Sequence, residues 1–465
     1  MGCLARGPRI GDLGDAAQPD LAAARRRRVE RRGGRQMSDL IWLAVAFLGA
    51  LILSLDIALA MLFATTVILL FGGIVPLHLI AEKAVSQVKL FPLLAIPGFI
   101  LMGELMNMVG LTRSLGELAR KIVGRWRGGM GAATVVACMF FGGMTGSGLA
   151  ETVAIGMLMI PMLTRHGYPK EFSAAMIAAG GSLGPIIPPS IPMVIYASIA
   201  PTVSVSALFI GGIVPGILIG LSFLVIVVWR TRAFATADMP LDGEEEVGFG
   251  RTVLDAVPAL VAPAIVLGGV LGGVVTVTEA SVLAATYVAL FGFVTGRLRL
   301  GDLGGAAMNT ATATGTFGFI IAAAGPFSFF LALFDAPGLV GTVLTDFSGG
   351  NTVLLMLVLT AILIGLGCLV EATSLVIILA PILAATASAA GIDQLHMALV
   401  SICALMLGLF TPPVGTNLFA ITGIAQVPIE RISREIIPFA FAAAAVVALM
   451  AAFPQIVLFL PQLVR

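Results

Sequence analysis

Residues 142–156 read GGMTGSGLAETVAIG and bring together residue types that can bind a metal cation. Two hydroxyls, Thr145 and Ser147, lie among glycines, and the carboxylate Glu151 follows shortly after them. Hard cations select hydroxyl, carboxylate and carbonyl oxygens, and glycine lets a carbonyl approach an ion without a side chain in the way. An acid within an apolar segment is by default a functional candidate. The stretch therefore predicts a Na⁺ site with Thr145, Gly146 and Ser147 as ligands.

A second set of such residues lies in the other half of the chain. Glu371 and Thr373 follow an apolar segment, and GLFTPPVGTN at 408–417 adds hydroxyls, an amide and glycine carbonyls around a proline pair. The sequence GPIIPPSIP at 184–192 carries a similar proline pair. Because proline lacks a backbone donor and clashes with the preceding turn, both segments are predicted to unwind. Unwound helices in transporters expose N–H groups to an anion and carbonyls to Na⁺.

The candidate ligands fall into two overlapping groups. The predicted ion-binding residues are Thr145, Gly146, Ser147, Ser190, Glu371, Thr373, Gly408, Thr411 and Gly415. The predicted substrate-binding residues are Ser147, Gly148, Pro188, Pro189, Ser190, Thr416 and Asn417. The three histidines and four cysteines of the chain show no ligand spacing, so we expect no metal other than Na⁺ and no cofactor.

The composition places these residues in a membrane protein. Hydrophobic residues make up 59% of the chain, the mean hydropathy is +1.08, and 11% of residues are charged, against about 25% in soluble domains. A helix needs about 20 apolar residues to cross the hydrocarbon core, and such runs recur along the chain. The composition excludes a soluble globular protein and predicts an all-α polytopic membrane protein.

A polar stretch divides the apolar segments into two sets of seven. The segments lie at about 40–55, 57–75, 90–109, 130–144, 149–164, 172–200 and 206–229, and then at about 254–275, 278–295, 306–334, 352–368, 371–390, 395–425 and 437–460. We predict a first repeat over 37–229, a cytoplasmic linker over 230–252 and a second repeat over 253–465. Each repeat contains a re-entrant hairpin (about 130–164 and 352–390), and a proline-broken helix follows it.

Glycines, prolines and acids recur between the repeats. Two pairs, Glu151 with Glu371 and Pro161 with Pro381, have an offset of 220 residues, whereas Gly167–Gly391, Gly184–Gly408 and the proline pairs have an offset of 224. The difference predicts four extra residues in a loop between Pro381 and Gly391. We interpret the recurrence as a gene-duplicated transporter core.

Charge predicts the orientation of the repeats. Because a hairpin makes no net crossing, each repeat has five spans, and this odd number inverts the second repeat relative to the first. Lys and Arg then collect on one side, the cytoplasmic one, while residues 300–430 contain none. The RRRRVERR cluster at 25–32 would have to be translocated, which the same rule disfavours. We therefore predict that Met37 is the natural start and that residues 1–36 are a disordered, non-native extension.

Three stretches resemble a known family, the large membrane subunit of tripartite ATP-independent periplasmic (TRAP) transporters. GMTGSGLAETVAIG is similar to its glycine-serine hairpin signature, RHGYPKEFSAAMIAAGGSLGPIIPPSIPMVIYA to its first broken helix, and LGLFTPPVGTNLFAITGIA to its second. The resemblance extends from Met37 to the C-terminus. The chain departs from the family at Glu151 and Glu371, where aspartate is usual, and at Gly143 and Thr145, where serine is usual.

The resemblance implies an elevator-type importer of a small anionic solute, driven by Na⁺, in the bacterial inner membrane. The solute would arrive on a periplasmic solute-binding protein, and a small four-helix membrane subunit, on a separate chain, would complete the complex; no nucleic acid is expected. The family's Na⁺ ligands correspond to Thr145, Ser147 and Ser190 at the first tip, and to Glu371 and the 411–417 loop at the second. We expect Glu371 to contribute more to Na⁺ binding than Glu151.

Three alternatives stay open at this point. The first is a stand-alone carboxylate or ion antiporter that needs no binding protein. The second is an intramembrane serine hydrolase that uses Ser147, which requires a general base on a facing helix; His78, His166 and His396 all lie at segment ends. The third is a channel, against which the duplicated re-entrant hairpins argue.

Overall fold

The computed structural model describes residues 37–72, 75–123, 128–232 and 248–464. The predicted extension and most of the linker lie outside the described residues. All regular secondary structure within them is helical. The helices are α1 (Met37–Ile52), α2 (Ile57–Gly72), α3 (His78–Val88), α4 (Ala95–Met108), α5 (Leu111–Val123), α6 (Gly129–Thr145), α7 (Gly148–Arg165), α8 (Lys170–Gly181), α9 (Ile191–Ile199), α10 (Val205–Thr231), α11 (Phe249–Leu271), α12 (Val277–Val294), α13 (Asp302–Leu333), α14 (Ala336–Ser348), α15 (Thr352–Gly367), α16 (Ala372–Ala390), α17 (Gln394–Leu407), α18 (Thr416–Ala425), α19 (Ile429–Ala452) and α20 (Gln455–Val464), with 3₁₀ turns at Phe91–Leu94 and Gly408–Phe410.

Eight candidate membrane spans occur among the described residues, judged by length and composition. They are α4 with its preceding 3₁₀ turn, α7, α10, α11, α12, α13, α16 and α19. Helices α14 and α15, which meet at a bend of 119°, give a ninth if they count as one span. Large apolar side chains cover the outer surface; Phe71, Val294 and Ile52 are all more than four-fifths exposed, at 87%, 86% and 83%. Such a surface suits lipid and not water, and the chain is a multi-pass membrane protein.

The order of helices α4–α10 recurs in α13–α19. Three helix pairs begin at N-cap residues that are 224 positions apart, namely Ser147 and Glu371 (α7, α16), Pro169 and Asp393 (α8, α17), and Ser204 and Pro428 (α10, α19). Helix α14, absent from the sequence prediction, stands where α5 stands in the first half, and both have 13 residues. The recurrence therefore extends to helices that share no sequence motif.

This register corrects one predicted pairing. Glu371 is the N-cap of α16 and corresponds to Ser147, whereas Glu151 lies inside the first turn of α7. The predicted four-residue insertion is also wrong, because α16 continues through Pro381 to Ala390, and α7 and α16 have 18 and 19 residues. A proline within a membrane helix is tolerated because neighbouring groups satisfy the freed carbonyl.

Both predicted broken helices are interrupted where the proline pairs lie. Helix α8 ends at Gly181 and the chain resumes helical structure only at Ile191. Helix α17 passes through a 3₁₀ turn into a non-helical segment before α18. The Pro188–Pro189 and Pro412–Pro413 peptide bonds are both cis. The breaks follow from the missing N–H groups and from the restriction that proline places on the residue before it.

The last predicted segment, 437–460, is instead divided between two helices. Helix α19 begins at Ile429 and ends at Ala452, and α20 follows Pro454. The charged residues of IERISRE at 429–435 lie in the first turns of α19, so hydropathy alone placed its start too late.

The two halves interlock through their broken helices. Helix α18 of the second half packs against α7 and α8 of the first, and α9 of the first half packs against α16 of the second. Helices α2, α3, α4, α12 and α13 form a second group that packs largely within itself. This group reaches the hairpins where α4 contacts α6 and where α13 contacts α16.

Candidate ion and substrate site

The first tip lies between α6 and α7. Gly146 follows α6 with a φ of +61°, a conformation that glycine adopts without a Cβ clash. The Ser147 Oγ caps α7 by accepting the Ala150 N–H at 3.5 Å. The Thr145 Oγ1 lies 3.4 Å from the Ser147 amide nitrogen and 3.5 Å from its carbonyl oxygen. All these contacts are long, so the hydroxyls of the tip are only weakly engaged.

The non-helical segment 182–190 lies directly against this tip. A Cβ on Gly146 would lie 2.8 Å from the Pro189 carbonyl oxygen, and a Cβ on Gly143 would lie 3.2 Å from the Pro188 carbonyl oxygen. Neither approach leaves room for a larger residue without a shift of backbone. The glycines of the tip therefore serve close backbone packing, and they bring two carbonyl groups of the segment to the tip.

Ser190 joins this group as the N-cap of α9. Its side chain is fully buried; the Oγ donates to the Pro185 carbonyl at 2.5 Å and accepts the Met193 N–H at 3.3 Å. The structure thus places the predicted residues 145–148 and 188–190 next to one another. They come from two N-terminal helix ends, those of α7 and α9.

The second tip is organised by Glu371. Its Oε1 accepts the Thr373 N–H at 2.9 Å, and its Oε2 accepts the Ser374 N–H at 2.6 Å and the Ser374 hydroxyl at 2.8 Å. The carboxylate is half-buried. Three of about four acceptor positions are filled, so the side chain caps α16 and keeps limited capacity for an ion.

The second non-helical segment reaches this tip through backbone contacts. The Val414 N–H donates to the Cys368 carbonyl at 3.1 Å. A Cβ on Gly408 would lie 2.0 Å from the Gly367 carbonyl carbon, so the two glycines are in direct backbone contact. The predicted ligand Gly408 is therefore required first for this close approach.

The other predicted residues of this segment differ in exposure. The half-buried Thr411 donates its hydroxyl to the Leu407 carbonyl at 2.7 Å. Gly415 is the buried N-cap of α18 with a φ of +51°, and Thr416 is half-buried. These residues flank the N-terminus of α18.

Asn417 links the two groups of predicted residues. It is fully buried, and its Nδ2 donates to the Ala178 carbonyl of α8 at 3.2 Å. A Cβ on Gly148 would lie 3.4 Å from the same Nδ2 and 3.0 Å from Leu409 Cδ1. Among the described residues, no hydrogen bond joins the first tip to the second, and Asn417 and Gly148 are the point where the two meet.

Glu151 has a position that the sequence did not reveal. Its side chain is fully buried, and neither carboxylate oxygen accepts a hydrogen bond from any described residue. The Cys138 thiol and the Gly184 amide face it without hydrogen-bonding geometry. A Cβ on Gly184 would lie 2.3 Å from Oε2, so glycine at that position makes room for the acid. Its sequence neighbours give no sign of this isolation, because Gly184 comes from another helix.

The electrostatics of the two tips depend on helix ends and not on basic side chains. Residues 128–164 and 300–430, which contain both hairpins, have no Lys or Arg. The N-termini of α7, α9, α16 and α18 all lie at the tips and non-helical segments. Each carries unpaired N–H groups and a partial positive charge, and these are the features that bind an anion at a helix end.

Comparison with known proteins assigns the family. Residues 40–456 match the family described as "Tripartite ATP-independent periplasmic transporter, DctM component". The chain is 34% identical over 410 residues to the isethionate TRAP transporter permease protein DctMQ of Oleidesulfovibrio alaskensis, covering 88% of this chain and 64% of that longer one. It is 34% identical to the C4-dicarboxylate TRAP transporter large permease protein DctM of Pseudomonas aeruginosa (82% and 89% covered). It is 29% identical to the sialic acid TRAP transporter large permease protein SiaM of Vibrio cholerae (90% and 97% covered).

Solved structures with low sequence identity share the fold. The YdaH transporter of Alcanivorax borkumensis has a TM-score of 0.62 at 16% identity, with 81% of this chain and 88% of that chain covered. The Neisseria gonorrhoeae protein MtrF has a TM-score of 0.59 at 13% identity, with 81% and 82% covered. The relatives are named as transporter permeases and not as enzymes, which removes the serine hydrolase. From the family match across the described helices, together with the paired hairpins and broken helices, we conclude that the chain belongs to the DctM family, the large permease component of TRAP transporters.

Proposed function

We propose that the chain imports a small anionic solute across the bacterial inner membrane together with Na⁺. A periplasmic binding protein would deliver the solute, and a separate small membrane subunit would complete the complex. Three relatives are named for isethionate, C4-dicarboxylate and sialic acid, which all carry a sulfonate or carboxylate group. The same class of solute is proposed for this chain.

The observation that carries this proposal is the absence of basic side chains from both hairpins. With no Lys or Arg in residues 128–164 and 300–430, an anion at the tips meets positive charge only from helix N-termini. A helix terminus provides about half an elementary charge, which does not neutralise a carboxylate in a low-dielectric site. Bound Na⁺ supplies the remainder, so solute binding depends on the cation. That dependence is the thermodynamic basis of symport.

We propose further that the two halves are inverted repeats and that transport follows an elevator mechanism. The recurring helix order supports a duplicated core. The separate packing of α2–α4, α12 and α13 supports a scaffold, against which the hairpins and broken helices would move as one body. Na⁺ ligands are proposed at Thr145, Gly146, Ser147 and Ser190 for the first tip. For the second they are proposed at Glu371, Thr373, Gly408, Thr411 and Gly415.

Reconstituted transport tests this function. The full-length chain, with its small membrane subunit, is placed in proteoliposomes, and uptake of labelled isethionate, succinate and sialic acid is measured with the cognate binding protein outside. We expect uptake of one class of acid under an inward Na⁺ gradient, and loss of uptake when K⁺ replaces Na⁺. Equal uptake in both salts would refute Na⁺ coupling.

Omission of the binding protein tests the remaining alternative. We expect uptake to fall to the level of empty vesicles. Uptake that persists without the binding protein would favour a stand-alone carboxylate transporter. Flux that runs down the solute gradient with no dependence on any ion would favour a channel.

A further inference from the structure

We propose that Glu151 and Asn417 hold a sodium-sized cation in a buried oxygen cluster behind the first tip, at the contact between the two halves. The cluster uses none of the hydroxyls predicted to bind Na⁺. It is therefore an additional site, and it exists whether or not the chain couples transport to Na⁺.

The first observation is the state of the Glu151 carboxylate. Both its oxygens are buried and neither has a hydrogen-bond partner among the described residues. A buried ionised carboxylate without a partner is unfavourable by several kcal/mol, in order of magnitude. A group that is kept at this cost needs a positive partner that the protein itself does not provide.

The second observation is an independent unpaired oxygen on the facing helix. The Asn417 side chain is fully buried, and its Nδ2 is fixed by the Ala178 carbonyl. Its Oδ1 accepts no hydrogen bond from the described residues. Because Asn417 begins α18 in the second half, the amide oxygen comes from a different element than the carboxylate.

A free backbone carbonyl lies between them. The residue four positions after Gly181 is Pro185, which has no N–H to donate, so the Gly181 carbonyl loses its helical partner. The Cβ position of Gly184 lies 2.3 Å from Glu151 Oε2 and 3.5 Å from the Gly181 oxygen. The Cβ position of Gly148 lies 2.8 Å from that oxygen and 3.4 Å from Asn417 Nδ2. The three groups therefore share one small region, and glycines keep it open.

The chemistry of this region selects a hard monovalent cation. Its ligands are a carboxylate, an amide oxygen and a carbonyl oxygen, with no sulfur or imidazole ligand required. One carboxylate balances one charge, and Na⁺ is the cation that free carbonyls of broken membrane helices coordinate. Held there, the ion would fasten α18 to α7 and α8, which pack together at this point.

Direct binding tests the site. Binding of ²²Na⁺ is measured on the purified full-length chain in nanodiscs, with KCl at constant ionic strength and without solute or binding protein. We expect Glu151→Gln, which keeps the shape and removes the charge, to bind one Na⁺ fewer per chain. We expect Glu151→Asp to retain the ion at lower affinity. An unchanged number and affinity in Glu151→Gln would overturn the proposal and leave the side chain as a neutral buried acid.

Thermal unfolding gives a second readout with a distinctive sign. Na⁺ raises the melting temperature of the wild type by mass action, and Glu151→Gln should show a smaller rise. In KCl the same variant should melt at or above the wild type, since it removes an uncompensated buried charge. Glu279→Gln is the control, because that acid caps α12 at an exposed position away from the cluster. Its Na⁺ response should equal that of the wild type.

A glycine substitution tests the site without touching a ligand. In Gly184→Ala the new Cβ displaces the Glu151 carboxylate, so the same Na⁺ should be lost. Gly423→Ala is the matched control, since nothing lies within 4 Å of its Cβ position. Full Na⁺ binding by Gly184→Ala would contradict the site even if Glu151→Gln did not fold. A chain that binds this Na⁺ but shows Na⁺-independent uptake would refute the proposed function and leave the site intact.

Discussion

The return arms of the two hairpins, α7 and α16, begin with different chemistry at equivalent positions. Helix α16 is capped by Glu371 through three hydrogen bonds of 2.6 to 2.9 Å, whereas α7 is capped by Ser147 through one of 3.5 Å. One turn further, α7 buries Glu151, but the position 224 residues on is the buried Leu375. An apolar residue therefore satisfies the fold at this position. The acid of α7 is not needed for packing, and its cost points to binding.

The same contrast appears in a pair of glycines. Gly184 and Gly408 occupy equivalent positions 224 residues apart, and each closes a hairpin against a broken helix. Gly184 meets a side chain, the Glu151 carboxylate, whereas Gly408 meets the backbone of Gly367. The first contact can yield by rotation of a side chain and the second cannot, so the first hairpin is the more adaptable of the two.

Gly408→Ala should have the largest effect on stability. The new Cβ would lie 2.0 to 2.5 Å from the carbonyl carbon, carbonyl oxygen and Cα of Gly367, and only separation of the two backbones relieves this overlap. Overpacking of this kind costs about 3 kcal/mol or more. The melting temperature of the full chain in nanodiscs measures it. Gly184→Ala should be clearly milder, and equal losses in the two variants would contradict the proposed difference between the hairpins.

Ser190→Ala should have the next largest effect. The buried Oγ satisfies the Met193 amide and donates to the Pro185 carbonyl, so its removal leaves two polar groups unpaired in the core. We expect a loss of about 1 to 2 kcal/mol in the free energy of unfolding, measured by denaturant or thermal melting. Ser433→Ala is the control, because its hydroxyl makes only one bond, to the Ile429 carbonyl. The comparison fails if the control is destabilised as much as Ser190→Ala.

Much of this architecture could be predicted from the sequence, for reasons that particular residues explain. The prolines at 188–189 and 412–413 act locally, so the breaks in both helices were predicted correctly. The pairing of Glu151 with Glu371 was wrong because it compared residue types, whereas the register is set by helix caps. The isolation of Glu151 depends on Gly184 and Asn417, which come from other helices, and no local pattern contains that information.

Glu371→Ala should lower stability moderately and weaken Na⁺ dependence. Loss of an N-cap costs about 1 kcal/mol, and the proposed second Na⁺ site loses its carboxylate, so the Na⁺ concentration for half-maximal uptake should rise. Sodium titration of uptake in proteoliposomes measures this. Glu371→Asp retains a good N-cap residue and should recover stability. Normal apparent Na⁺ affinity in Glu371→Ala would remove the residue from the site.

Ser147→Ala should have the smallest effect on stability and separates folding from function most clearly. Because the Ser147 Oγ accepts the Ala150 amide at the long distance of 3.5 Å, its loss should cost no more than about 0.5 kcal/mol, the low end for N-caps. A hydroxyl that contributes so little to capping is free to coordinate an ion. We therefore expect a marked rise in the Na⁺ concentration for half-maximal uptake, with almost no change in melting temperature.

Ser204→Ala provides the matched control for this prediction. Ser204 caps α10 in the same way and accepts the Ala207 amide at 3.2 Å, but it lies outside both tips. Its removal should therefore cost at least as much stability as Ser147→Ala while leaving the Na⁺ dependence of uptake unchanged. If the two variants changed uptake equally, the Ser147 hydroxyl would be only a cap, and the first tip would bind its ion through carbonyls alone. In that case the two hairpins would differ less than their caps indicate, since neither would use its N-cap side chain mainly for the ion.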